Sequence, residues 1–236
     1  MLEPINYKRG DVISYFDMCL EENVKTLQRG MNYRLNKKYS VLLQSTRTDA
    51  KYEDEVLEDG NILIYEGHDV SKNKTNKKPK QLDQQLFNRN GTLTQNGLFF
   101  NAAHEFKAGF KSAEAVRVYD KLQSGIWTFA GVFYLTDAYY LATQIRKVFK
   151  FKLDIADMEK QVLPKENKPS PGRIIPTDVK IIVWERDNGR CVQCKSDENL
   201  HFDHIIPFSK GGSSQTPDNI QLLCAEHNLK KSDKLI

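Results

Sequence analysis

Residues 191–212, CVQCKSDENLHFDHIIPFSKGG, open with Cys191 and Cys194 in a C-x2-C pair. Cys224 and His227 form a C-x2-H pair, with 29 residues between the two halves. Zinc takes four nitrogen or sulfur ligands in a tetrahedron, and short pairs of this kind supply two each. The competing expectation is three unlinked buried cysteines. A segment of roughly 60 residues is too short for a generous core, and a bound metal supplies what packing lacks. The N-terminus, MLEPINYKRGD, has no secretory character. The cysteines therefore read as metal ligands in a cytoplasmic protein rather than as a disulfide framework.

A second set of chemistry-bearing residues is interleaved with the first. Asp203 and His204 end a short apolar strand carrying Leu200 and Phe202, and Asn219 and Asn228 follow. On a helix, the adjacent His227 and Asn228 diverge by about 100°. If Cys224 and His227 face zinc, Asn228 reaches a different site. The hard oxygens of Asp203 and Asn228 suit magnesium or manganese. His204 is then available as a base near neutral pH. His201, two residues before Asp203, reads as an ordinary strand histidine.

These residues carry a resemblance. V-W-E-R-D-N-G-R-C-x2-C, L-H-F-D-H-I-I-P-F-S-K-G-G and D-N-I-Q-L-L-C-x2-H-N-x2-K together resemble an HNH nuclease of the ββα-metal fold. The resemblance implies that His204 activates water and that Asp203 and Asn228 hold a catalytic Mg²⁺ or Mn²⁺. It implies that Asn219 orients the metal loop and the base, and that a structural Zn²⁺ sits on Cys191, Cys194, Cys224 and His227. The third family letter, usually His, is Asn228 here.

The elements that position these residues fall in two parts. Up to about residue 153, β-branched and aromatic runs predict strands at Tyr39–Gln44, Asn61–Tyr65, Ala115–Tyr119, Trp127–Tyr134 and Lys147–Leu153. Helical patterns cover Val12–Leu27 and Leu98–Phe106. Residues 154–172 lose apolar periodicity, gain three prolines and read as a linker. Beyond it, Thr177 is placed to cap a helix whose stripe is Val179, Ile182 and Val183. Ser71–Lys80 carries five lysines and no acid. It reads as a mobile surface loop or as a loop that tracks phosphates.

Y-S-V-L-L-Q, Y-E-D-E, D-G, I-Y-E-G, A-V-R-V-Y-D-K and V-F-K-F-K-L together resemble an SRA domain, a reader of modified cytosine in DNA, over most of residues 30–153. The resemblance implies base flipping into a pocket, with Tyr52 and Tyr65 as stacking faces and Asp54 or Glu55 accepting from the cytosine amino group. The bland alternative packs both tyrosines in a β core. The family's Y-T-G-x-G-G is Y-E-G-H-D here, and Glu66 is expected to reshape the pocket or accept from a hydroxylated methyl group. Both 5-methyl- and 5-hydroxymethylcytosine are therefore kept as ligands.

The resulting expectation is an α+β chain. An SRA/PUA-like strongly bent β-barrel with flanking helices covers 1–153, a linker 154–172, and a ββα-metal HNH domain with a zinc knuckle 173–236. Its partner is double-stranded DNA carrying modified cytosine, and double-strand cutting by one site per chain predicts a homodimer. No apolar run is long enough to span a membrane. A net charge of +4 discriminates little. The competing readings are a non-catalytic reader and an HNH nuclease whose PUA-like domain reads unmodified sequence or RNA.

Overall fold

The computed structural model describes residues 5–35, 37–45, 50–72, 75–156 and 174–231. Its N-terminal part is built on one eight-stranded sheet. The strands are β1 (Val12–Ser14), β2 (Met31–Asn32), β3 (Ser40–Gln44), β4 (Glu55–Leu57), β5 (Ile62–Glu66), β6 (Glu114–Gln123), β7 (Ile126–Ala142) and β8 (Lys147–Ile155). Their order is β2-β3-β6-β7-β8-β5-β4, and β1 pairs the start of β7. Only β3 and β6 run parallel; the other described pairs are antiparallel. The architecture is α+β. Among the described residues β2 and β4 remain edges, so the expected barrel is an open sheet. Register shifts at Val118/Tyr119 and Leu135/Asp137 break the ladder on either side of β7, and such bulges bend a strand.

Two helices close the sheet. Helix α2 (Gln95–Lys107) buries Phe99, Ala102 and Ala103, whose spacing puts them on one face. That face lies against Phe149, Phe151 and Leu153 of β8 in the main core. Thr94 caps α2 by accepting from Gly97 N at 3.1 Å. Helix α1 (Tyr15–Glu21) is much shorter than the predicted Val12–Leu27. Val12–Ser14 pairs with β7 instead, Ser14 caps the helix, and Asn23 takes a left-handed φ of 52° that ends it. Beneath α1, Glu22 accepts from Arg117 at 3.2 Å and from the Tyr119 hydroxyl at 2.6 Å, all three buried.

The C-terminal module comprises α3 (Thr177–Arg186), β9 (Leu200–His204), β10 (Ile220–Cys224) and α4 (Ala225–Lys231). Antiparallel β9 and β10 place His204 opposite Ile220 and Asp203 opposite Gln221. Thr177 does not cap α3. Pro176 occupies the cap position, and the Thr177 hydroxyl donates to Asp120 of β6 at 2.7 Å, which ties the module to the sheet. His201 makes a second tie, with its Nδ1 3.0 Å from Asp11 Oδ1 and a backbone bridge between the two residues. Strand β8 runs to Ile155, two residues into the expected linker; residues 157–172 of that linker lie outside the described residues.

Phe99 joins α2 to the sheet, fully buried. Phe99→Ala is expected to destabilise the N-terminal part by about 3–5 kcal/mol. A urea titration would check this, and a loss below about 1 kcal/mol would contradict that placement.

Candidate functional site

Cys191, Cys194, Cys224 and His227 bring their ligand atoms within 4.8 Å of one another. Among the described residues this is the one such group of three or more His, Cys, Asp or Glu. Cys194 Sγ and Cys224 Sγ are 3.7 Å apart, and Cys191 Sγ lies 3.5 Å from His227 Nδ1. A tetrahedron with ordinary zinc–sulfur and zinc–nitrogen bonds has sulfur–sulfur edges of about 3.8 Å and sulfur–nitrogen edges of about 3.6 Å. The donor set fits zinc and these two edges match it, while the edge from Cys224 Sγ to His227 Nδ1 is tighter, at 3.1 Å. Val192 N donates to Leu222 O at 2.9 Å, and Lys195 takes a left-handed φ of 64° to close the knuckle. Burial opposes ionisation of the Cys191 thiol. Backbone N–H groups, led by that of Cys194, outweigh it and hold the thiol at about 6. A thiolate that can bind a metal is thereby populated near neutral pH.

Asp203, His204 and Asn228 line one cavity of 650 Å³ between the module and the sheet. Strand β9 delivers the first two and α4 the third. Lys231, buried in the last turn of α4, donates to His204 O at 2.6 Å and sits 2.8 Å from Asp203 Oδ2. Gln221 Nε2 reaches the same oxygen at 3.4 Å. No hydrogen-bond donor among the described residues is found at Asp203 Oδ1, which leaves a hard ligand atom in the cavity that Asn228 also lines. His204 Nε2 lies 2.8 Å from the hydroxyl of fully buried Ser214. Asn219 stands apart from the cavity and braces its loop. Its Oδ1 accepts from Ile206 N at 2.9 Å, and its Nδ2 donates to Ile206 O at 3.2 Å and Ser213 O at 3.0 Å. A Cβ at Gly212 would lie 1.8 Å from Ile206 O, so the loop closes this tightly only with glycine there.

Ser214 and Lys231 were not singled out by type or spacing. Ser214 sits in the uninformative G-G-S-S stretch. Lys231 stands in the H-N-x2-K run, where nothing but a fold could show its ammonium turned back onto Asp203.

In the N-terminal sheet, Tyr52 and Asp54 precede β4, Glu55 begins it, and Tyr65 and Glu66 end β5. Tyr52 stacks on His68, with ring centroids 5.5 Å apart and planes 20° from parallel. Lys80 Nζ lies 4.4 Å from the Tyr52 ring centroid. Tyr65 is buried in the core, with its hydroxyl donating to Leu43 O at 3.3 Å. Asp54 accepts from Glu66 N at 2.9 Å and Ser45 N at 3.4 Å. Burial, despite these donors, pushes its carboxyl up to about 7. Glu55 is exposed. The buried Glu66 carboxylate is engaged by Arg146 at 2.9 Å and Lys150 at 3.5 Å, and Arg146 also holds Asp69 at 2.5 Å. Arg146 and Asp69 thus complete a charge network of which sequence reasoning saw only Glu66.

Residues 191–234 match the sequence model of the family described as HNH endonuclease. The chain therefore carries an HNH domain at its C-terminus. Among solved structures, it is similar to the SUVH5 SRA domain in complex with hemimethylated CG DNA. That match has 22% identity and a TM-score of 0.46, and covers 68% of this chain and 95% of that one. The complex of the same domain with fully hydroxymethylated CG DNA matches at 19% identity and a TM-score of 0.47, over 70% and 99%. The modification-dependent TagI restriction endonuclease matches at 17% identity and a TM-score of 0.45, over 95% of this chain and 77% of that one. No curated protein matches the chain. No helix among the described residues is long and apolar enough to cross a membrane.

Cys194→Ser is expected to lower the zinc content from about one ion per chain and to melt the C-terminal module, since closed zinc sites of this kind contribute folding energy. Elemental analysis and thermal circular dichroism would check this. Unchanged zinc content would remove Cys194 from the ligand set.

Proposed function

We propose that the chain is a modification-dependent DNA endonuclease, in which the N-terminal sheet reads a modified cytosine and the HNH domain cuts nearby. The observation that carries the nuclease half is the meeting of Asp203, His204 and Asn228 at one cavity, beside a separate zinc-type cluster. His204 takes the proton from the attacking water. Ser214, at its Nε2, fixes the imidazole in orientation. Asp203 and Asn228 would hold a divalent cation, Mg²⁺ or Mn²⁺, through oxygen. Lys231, 2.8 Å from Asp203 Oδ2, keeps that carboxylate aimed. When bound, such a cation would supply charge neutralisation at the phosphate and the leaving 3′ oxygen. Asn219 keeps the loop that carries Ser214 in place.

The reader half rests on the SRA-like motifs and on the wall they form. Tyr52 offers its ring face to a flipped base, and Asp54 accepts from the cytosine amino group. The exposed position of Glu55 favours Asp54 for that role. Tyr65, buried, contributes its hydroxyl edge more readily than its face. Glu66 braces the wall through Arg146 and Lys150, which favours a structural part over direct contact with a hydroxymethyl group. The ligand is 5-methyl- or 5-hydroxymethylcytosine in duplex DNA. Residues 1–153 form the reader and 173–236 the nuclease. Two chains acting together would break both strands, and the biological use is cutting of modified phage DNA.

Matched duplexes with and without modified cytosine, incubated with Mg²⁺ or Mn²⁺, test the reading. Cutting restricted to the modified duplex is expected, and equal cutting of both would sink the targeting claim. His204→Ala is expected to lower the rate by at least about 100-fold while DNA binding persists.

A pH series checks Asp54 separately. Because its carboxyl titrates near 7, the accepting carboxylate gains population as pH rises from 6 to 8. Affinity for the modified duplex should rise over that range in the wild type and stay flat in Asp54→Asn. The same upward shift means that burial of Asp54 costs stability as pH climbs from the ordinary carboxylate range to about 7.

A further inference from the structure

The imidazole of His68 sits where a flat nitrogen heterocycle could sit. One face lies against the Tyr52 ring, at 5.5 Å and 20°. Its Nε2 is 3.2 Å from the Tyr65 hydroxyl, and the rings of His68 and Tyr65 are 6.3 Å apart at 45°. A face on an aromatic ring and a nitrogen edge on a hydroxyl are contacts that a pyrimidine would make. Burial lowers the imidazole pKa to about 4, so the ring is neutral at physiological pH, as the base is.

The backbone beneath the ring is fixed. Asn96 accepts from His68 N at 2.8 Å and donates to His68 O at 2.9 Å. Gly67 N donates to Phe149 O at 2.9 Å, and the Gln84 amide donates to Gly67 O. The loop therefore cannot carry the ring away, but rotation about the side-chain bonds can. One wall is closed, because a Cβ at Gly30 would meet both His68 Nε2 and the Tyr65 hydroxyl at 2.7 Å. His68 keeps partial exposure to solvent, and that is the side to which its ring would turn.

We infer that His68 occupies the base-stacking slot of the DNA-free protein and is displaced by the modified base, acting as an internal competitor of the ligand. This rests on the reading of the N-terminal sheet as a modified-base reader. The competitor lowers insertion of every base by the same factor. Phosphate contacts set a floor of non-specific affinity that does not depend on insertion. An unmodified cytosine, with less apolar surface to bury, then falls to that floor while a modified one stays above it. His68 thus sets a threshold for insertion that only a modified base passes, and it does so by weakening the modified duplex more than the unmodified one.

The test uses the full chain with His204→Ala, which prevents cutting, at one fixed salt concentration. Fluorescence anisotropy measures affinity for duplexes carrying one 5-methylcytosine, one 5-hydroxymethylcytosine or neither. His68→Ala is expected to tighten binding of the preferred modified duplex about tenfold, and to change the unmodified duplex by less. His68→Phe keeps a ring in the slot and is expected to stay within about threefold of the parent or to bind more weakly. If His68→Ala leaves modified-duplex binding unchanged or weakens it while the parent retains its preference, the competitor is overturned and the reader stands. If the parent shows no preference, the reader fails and the competitor with it. Should His68→Ala not fold, judged by its melting temperature, the parent still decides. Its His68 ring resonance should titrate nearer 6.5 once the modified duplex is bound. An unmoved titration would overturn the inference.

Discussion

The four ligand atoms of Cys191, Cys194, Cys224 and His227 impose the constraint on which the C-terminal module depends. They draw the knuckle, the end of β10 and the first turn of α4 to one point. The apolar interior of the module is small: Ile175, Val179, Val183, Leu200, Ile220, Leu222 and Leu223 are its buried members besides the cysteines. Such a core leaves the roll of a seven-residue helix poorly determined. Four side chains that converge on one point determine it. With His227 pinned, the next residue must face elsewhere, and Asn228 turns to the cavity that Asp203 and His204 share. The cysteine–histidine cluster thereby aims the cavity side chains, while no side chain belongs to both.

The N-terminal sheet solves a similar problem with buried charge. Glu66, Asp69, Arg146 and Lys150 are withdrawn from water or nearly so, and pairs of this kind rarely stabilise a fold net of desolvation. Their effect is geometric. They fix the strand end that carries Tyr65 and the turn that carries His68, so that an aromatic slot is formed against Tyr52. Lys80 joins the edge of the network, at 3.7 Å from Glu66 and 3.8 Å from Asp69, and lies over the Tyr52 ring as well. The lysine-rich stretch that reads as a surface loop thus contributes one residue to the wall.

Strand positions were legible because β-branched and aromatic runs coincide with buried pairs in β3, β5, β6, β7 and β8. Local propensity failed where tertiary contacts compete with it. Val12–Ser14 has a helix-compatible pattern but finds a sheet edge at β7. Thr177 has the side chain of a helix cap but finds Asp120. The convergence of the Cys–Cys and Cys–His pairs was legible from spacing alone, since two short pairs admit few other purposes. Ser214, Lys231 and Arg146 were not, because each acts on a residue between 10 and 80 positions away along the chain. Barrel closure was equally out of reach, since it depends on whether β2 and β4, distant in sequence, meet.

Helix α4 carries its duties in sequence order: a zinc-type ligand at His227, a cavity ligand at Asn228 and a brace at Lys231. The phase between these positions is set by the pitch of the helix, 3.6 residues per turn. Replacement of a side chain can spare the other two positions. A single residue inserted after His227 cannot, because it would swing Asn228 and Lys231 together by about 100° while the tetrahedron stayed intact. The module is therefore rigid towards changes of length in a stretch where it tolerates changes of letter. A frame-preserving insertion there would leave the four-residue cluster assembled with the cavity face of the helix dismantled.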